Sequence, residues 1–108
     1  MHSEAAIRAL GALAQEHRLA AFRLLVEAGP TGLAAGVLAE RLAIAPSSLS
    51  FHLAQLANAG LVAQDRQGRS IIYTAEFAAM GALVGYLTEN CCEGAYCAPA
   101  AAMPAVCC

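Results

Sequence analysis

All five cysteines of this chain of 108 residues fall in its last 18, as Cys91-Cys92, Cys97 and Cys107-Cys108. Core packing does not predict such clustering, and clustering implies chemistry. The spacing is not that of a C-x-x-C redox pair, and it lacks the second pair or the histidines of a closed structural zinc site. Three thiols at Cys91, Cys92 and Cys97 suit a soft ion that takes three sulfurs, and trivalent arsenic or antimony fits best. Arsenite arrives as neutral As(OH)₃ and leaves a neutral tris-thiolate, whereas a divalent ion on three thiolates leaves a net negative charge beside Glu89 and Glu93. Adjacent residues in a helix point about 100° apart, so Cys91 and Cys92 share an ion only where a helix has ended. Gly94 allows the turn that returns Cys97. Cys107 and Cys108 lie beyond a spacer that spans roughly 30 Å when extended, within reach as auxiliary ligands.

A second set of residues suits DNA. Ser47, Ser48 and Ser50 are short donors and acceptors that let a helix backbone approach phosphates or base edges in a major groove. Gln55 is long enough to reach a base edge, and His52 is placed to donate to a phosphate. Arg66 and Arg69 flank Gly68 and suit phosphate or minor-groove contacts. For Ser47 and Ser48 the simpler role of helix caps stays open.

Elements that hold these residues are legible from periodicity. Ile7, Leu10, Leu13 and Ala14, then Leu19, Phe22, Leu25 and Val26, recur at helical spacing and stop at Gly29-Pro30-Thr31-Gly32. A short third helix places Leu33, Val37, Leu38, Ala39 and Leu42 inward. A fourth, from Pro46 to Asn58, carries the stripe Leu49, Leu53, Leu56 and breaks at Ala59-Gly60. Leu61–Gln64 and Ser70–Thr74 read as strands of a hairpin around Asp65–Arg69. Ala75–Asn90 reads as a last helix with Phe77, Met80, Leu83, Val84 and Leu87, more apolar surface than one small core needs.

The expectation is one domain: α+β and mostly helical, a winged helix-turn-helix with a two-stranded hairpin wing, dimeric through residues 3–14 and 76–90. Residues 1–90 form the DNA-binding and dimerisation part and 91–108 a cysteine-rich tail. A hydrophobic content of 59% with only three Phe, three Tyr and no Trp favours closely packed helices over a bulky core. Every base is arginine. Residues 1–74 carry six Arg against five acids and residues 75–108 three acids and no base, so the part facing phosphate is the first two thirds. No stretch is long and apolar enough to span a membrane, and the start shows no basic region followed by an apolar run. The expectation is therefore a cytoplasmic protein with reduced thiols and no constitutive cofactor.

Residues 7–90 resemble the ArsR/SmtB family of metal- and metalloid-responsive winged-helix repressors. The resemblance is carried by Ser48-Leu49-Ser50-Phe51-His52-Leu53-Ala54-Gln55-Leu56-Ala57-Asn58-Ala59-Gly60-Leu61-Val62, similar to the family's recognition helix and first wing strand, and by Arg66-Gln67-Gly68-Arg69 with Tyr73, similar to its wing. It implies a homodimer that occupies operator DNA and leaves when inducer binds. Ala54 stands where such helices often carry a basic residue. Leu33–Leu42 contains no cysteine, unlike members with ligands ahead of the recognition helix, and residues 75–90 lack the His and Asp pairs of zinc-sensing members. Leu87-Thr88-Glu89-Asn90-Cys91-Cys92 followed by a third cysteine resembles the arsenic(III)-responsive branch whose ligands follow the last helix. Two other readings stand against it. One is a thiol redox switch on the same fold. The other is a small thiol-dependent arsenate reductase, disfavoured because neither a Gly-rich loop nor a basic residue surrounds any cysteine.

Overall fold

The computed structural model describes residues 1–91. Among these residues five α-helices run in chain order: α1 (Ser3–Leu13), α2 (Glu16–Ala28), α3 (Ala35–Leu42), α4 (Pro46–Asn58) and α5 (Phe77–Leu87). Three strands, β1 (Leu33–Ala34), β2 (Val62–Gln67) and β3 (Ser70–Ala75), form an antiparallel sheet in the order β1-β3-β2. This is a winged helix-turn-helix.

Local chemistry sets the boundaries. The side chain of Gln15 accepts a hydrogen bond from the Arg18 backbone N–H and caps α2, and Gly29 ends that helix with φ of 75°. Pro46 opens α4 in the first turn, where a missing N–H does no harm. Between α3 and α4 the chain turns at Ala43, which adopts a left-handed conformation at φ 55°. The hairpin tip is tighter than the sequence suggests. Gln67 pairs with Ser70, leaving Gly68 and Arg69 as a two-residue turn. A positive φ at Gly68 alone matches a type II′ turn.

The core lies where α2, α3, α4 and the base of the hairpin meet, and its fully buried large side chains are Leu25, Leu38, Leu49, Leu53, Leu56 and Leu61. Small buried residues (Ala6, Ala9, Ala21, Ala39 and Ala75) let the helices and sheet close around it. Alanine thus supplies close approach while leucine supplies the burial.

The structure departs from the sequence expectation in three places. Leu33, assigned by its periodicity to the third helix, lies in β1 opposite Tyr73, so a third strand extends the hairpin. The last helix ends at Leu87, short of Asn90, because beyond Thr88 the backbone bonds tighten to i−3, Glu89 N–H to the Tyr86 carbonyl and Cys91 N–H to the Thr88 carbonyl, and Asn90 turns left-handed at φ 56°. Val37, expected inward on the third helix, is 39% exposed, whereas the apolar set of α5 divides as its surplus implied, with Leu83 buried in the core and Val84 and Leu87 55% and 57% exposed.

Gly32 links α2 to β1 at φ 68°, and a Cβ there would collide with the carbonyl oxygen of Tyr73. We expect Gly32→Ala to lower the unfolding free energy by about 2 kcal/mol or more through strain at a positive φ and displacement of β1 from β3. The check is the urea midpoint of the variant; an unchanged midpoint would mean that the close approach is not needed.

Candidate nucleic-acid interface and thiol site

Burial of Leu49, Leu53 and Leu56 fixes the rotation of α4 about its own axis. At about 100° per residue, the direction opposite this stripe falls among Ser47, Phe51, Ala54 and Asn58, with Ser48 and Ser50 on the two flanks. Ser47, Ser48, Ser50, Phe51, Ala54 and Asn58 are all exposed and Gln55 is partly so. The N-cap of α4 is Ala45, and no side chain caps the helix. Ser47 and Ser48 therefore sit inside the first turn and leave their hydroxyls to other partners.

His52 lies on the side of α4 turned toward the α1–α2 corner. Its Nδ1 is 3.3 Å from a terminal nitrogen of Arg18. A guanidinium only donates, so Nδ1 accepts and the ring is neutral. Nε of Arg18 donates to the Ala12 carbonyl at 2.6 Å, which ties the end of α1 to α4 through one side chain. The His17 ring lies 5.6 Å from that of His52, and a Glu16 carboxylate oxygen is 3.8 Å from Nε2 of His17. Burial pushes the His52 pKa down, and the charges of Arg18 and His17 push it the same way. Sequence reading missed Arg18 because it stands 34 residues from its partner, with no fixed motif linking them.

On the hairpin, Arg66 lies in β2 opposite Ile71 and Arg69 occupies the tip; both are exposed. Asp65 is held by Gln67, whose side-chain amide donates to its carboxylate at 3.2 Å. Neighbouring residues of a strand face opposite sides, so the Asp65 charge points away from the face that carries Arg66.

Of the thiols, Cys91 is partly buried just beyond α5, with its backbone N–H donating to the Thr88 carbonyl at 3.1 Å. Cys92, Cys97, Cys107 and Cys108 lie outside the described residues. Among the described residues, no three His, Cys, Asp or Glu side chains come together as a ligand set. Among them, too, no helix is long and apolar enough to cross a membrane.

A helix-turn-helix domain model matches residues 13–65, which span α2 to the first wing strand. The transcriptional activator HlyU of Vibrio cholerae is 32% identical over 92 residues, covering 85% of this chain and 82% of that protein. The chain belongs to the ArsR family. Solved structures agree. HlyU from Vibrio cholerae superposes with a TM-score of 0.65 at 35% identity, covering 79% of this chain and 92% of that one. An ArsR-like transcriptional regulator from Rhodococcus superposes at 0.69 with 28% identity, covering 84% and 83%. A winged helix-turn-helix DNA-binding domain from Mycobacterium bovis, a possible ArsR-family regulator, does so at 0.64 with 26% identity, covering 84% of each chain. This ArsR-family chain is a DNA-binding transcription regulator, not an enzyme.

Because the fold favours neutral His52, the unfolded chain binds more protons in the window just below the ordinary histidine value of about 6.5. Stability is therefore greatest above that value and declines as the pH drops through the lower folded-state pKa. We expect His52→Gln to flatten this part of the stability profile relative to wild type, measured by urea unfolding between pH 7.5 and 5. Parallel profiles would show that His52 gains no proton differently on unfolding.

Proposed function

We propose that this regulator is a homodimeric repressor that leaves its operator when As(III) or Sb(III) is bound by Cys91, Cys92 and Cys97. The observation that carries the reading is the confinement of all five cysteines to the stretch that follows α5, the helix with the barest apolar face. Nearly every residue of α5 is apolar, yet Leu83 alone of them is buried. Val84 and Leu87 are exposed, and beside α5 the outer face of α1 exposes Ile7 at 69% and Leu10. A helix that is apolar all round is a buried helix, and a second copy supplies the cover. The related Mycobacterium bovis domain is described as homodimeric.

In this reading three thiols displace three hydroxyls of As(OH)₃ and release three waters. Gathering them reshapes the chain at the end of the dimer helix. Two recognition helices reach successive major grooves only if held about 34 Å apart, so a change in dimer geometry lowers affinity without touching a DNA contact. A hundredfold loss requires about 2.7 kcal/mol of coupling. The curated relative is an activator; the direction of control follows from where the operator lies relative to the promoter. Ser47, Ser48, Ser50 and Gln55 read the groove, Arg66 and Arg69 hold phosphate, and His52 with Arg18 holds α4 in place.

A second reading has one observation in its favour: a solved relative, 32% identical, is described as reduced HlyU from Vibrio cholerae. There, oxidation of the tail thiols would release DNA. Titrating the protein on a fluorescent duplex, selected from a random pool, against arsenite, antimonite, zinc and peroxide separates the two. The metalloid reading expects release by arsenite and antimonite under reducing conditions, retained DNA binding but no release in Cys91→Ser or Cys92→Ser, and little change in Cys107→Ser with Cys108→Ser. Normal arsenite release from the Cys91→Ser, Cys92→Ser double variant would place the sensor elsewhere, and release by peroxide alone would favour the redox switch.

Two further outcomes follow. Arg69→Ala should weaken binding to all sequences and lower the log–log salt slope by about 1 per protomer; unchanged affinity at moderate salt would remove the hairpin tip from the interface. Val84→Glu, at an exposed position that leaves the core intact, should yield monomers by sedimentation, and a persisting dimer would move the interface off α5.

A further inference from the structure

Phe51 stands 60% exposed on α4. A lone exposed apolar residue needs no explanation, but the position of this one does. At about 100° per residue, Phe51 projects within about 15° of the direction opposite the buried stripe of Leu49, Leu53 and Leu56. It thus occupies the middle of the face that α4 turns outward. One turn back are Ser47 and Ser48, both short, and one turn on are the short Ala54 and the longer, partly buried Gln55, so the ring is flanked mostly by short side chains. Its base meets the His52 ring edge-on, at 5.8 Å between centroids and 64° between planes. His52 is in turn held by Arg18, which steadies the inner side of Phe51 and leaves its outer edge bare. The apolar faces awaiting a second copy belong to α1 and α5, not α4.

A helix lying in the major groove meets hydrogen-bonding base edges, charged phosphates and a single kind of apolar group, the 5-methyl of thymine. An aromatic ring on that face finds a matching surface only there. We infer that Phe51 is a specificity-determining residue that seats against a thymine 5-methyl group in each half-site. Ser47, Ser48 and Gln55 supply polar contacts around it, and Phe51 selects thymine over cytosine, which offers no methyl at that position. The inference rests on α4 being the helix that reads DNA.

The test uses the full chain and a duplex selected by it from a random pool. Deoxyuridine is substituted for one thymidine per half-site, which removes the methyl and nothing else. We expect one such position at which wild type loses affinity about fifteenfold, fourfold per half-site from one CH₂-sized group returned to water. Phe51→Ala should bind the thymine duplex at least as weakly and no longer distinguish it from the uracil duplex, while Phe51→Leu keeps part of the discrimination. Thermal unfolding and sedimentation of both variants should match wild type. Full thymine-over-uracil discrimination in Phe51→Ala would overturn the inference, as would an equal loss on selected and unrelated DNA, or a change in oligomeric state. If wild type enriches no sequence from the pool, the reading of α4 itself fails and the inference falls with it.

Discussion

The burial of Leu49, Leu53 and Leu56 against the core residues around Leu25, Leu38 and Leu61 is the constraint on which the rest of the molecule depends. It holds α4 against α2, α3 and the base of the hairpin, and by fixing one face inward it selects which residues face outward. Truncating a leucine in such a core typically removes about 2–5 kcal/mol, a large fraction of the stability of a domain this size. Readout therefore rests on packing. Ser47, Phe51, Ala54 and Asn58 owe their outward presentation to leucines buried on the opposite side of the helix.

A second link runs crosswise. Arg18 donates to the Ala12 carbonyl near the end of α1 and to His52 on α4, so the helix beside the proposed dimer face and the reading helix share one guanidinium. The Arg18 side chain is thus a direct physical connection between the end of α1 and α4. The Val84 carbonyl of α5 accepts from the hydroxyl of Thr88, whose own carbonyl accepts from the Cys91 N–H. In the proposed mechanism, gathering thiols beyond that point acts on α5 first and on the DNA-reading helices through dimer geometry.

Much of this was legible in the sequence. Periodicity and breakers gave all five helices, because Gly29-Pro30 and Ala59-Gly60 stop apolar repeats where the chain turns. The hairpin followed from β-branched runs around Gly68. What escaped was long-range or short. β1 is two residues long and exists because β3 is beside it, so no local pattern separates it from the start of α3. Leu83 and Val84 are adjacent apolar residues, and only the packed structure shows that one enters the core while the other stays bare. His52 looked like a phosphate contact by its place on α4, whereas its ring meets Arg18, a partner no spacing rule reveals. Phe51 went unremarked because apolar residues on a helix are read as core. The wheel drawn through Leu49, Leu53 and Leu56 was the signal that would have found it.

In the proposed dimer, two copies of α4, presented by their leucine stripes and spaced by the α1 and α5 faces, read DNA as a pair. Hydroxyl-radical and methylation footprinting of the full-length protein on its selected duplex tests it most directly. Two related protected patches are expected, with centres 10–10.5 base pairs apart, the spacing of successive major grooves on one face of the helix, and weaker protection where the hairpin tips reach the flanking backbone. A single protected patch, or two patches on opposite faces of the duplex, would contradict it.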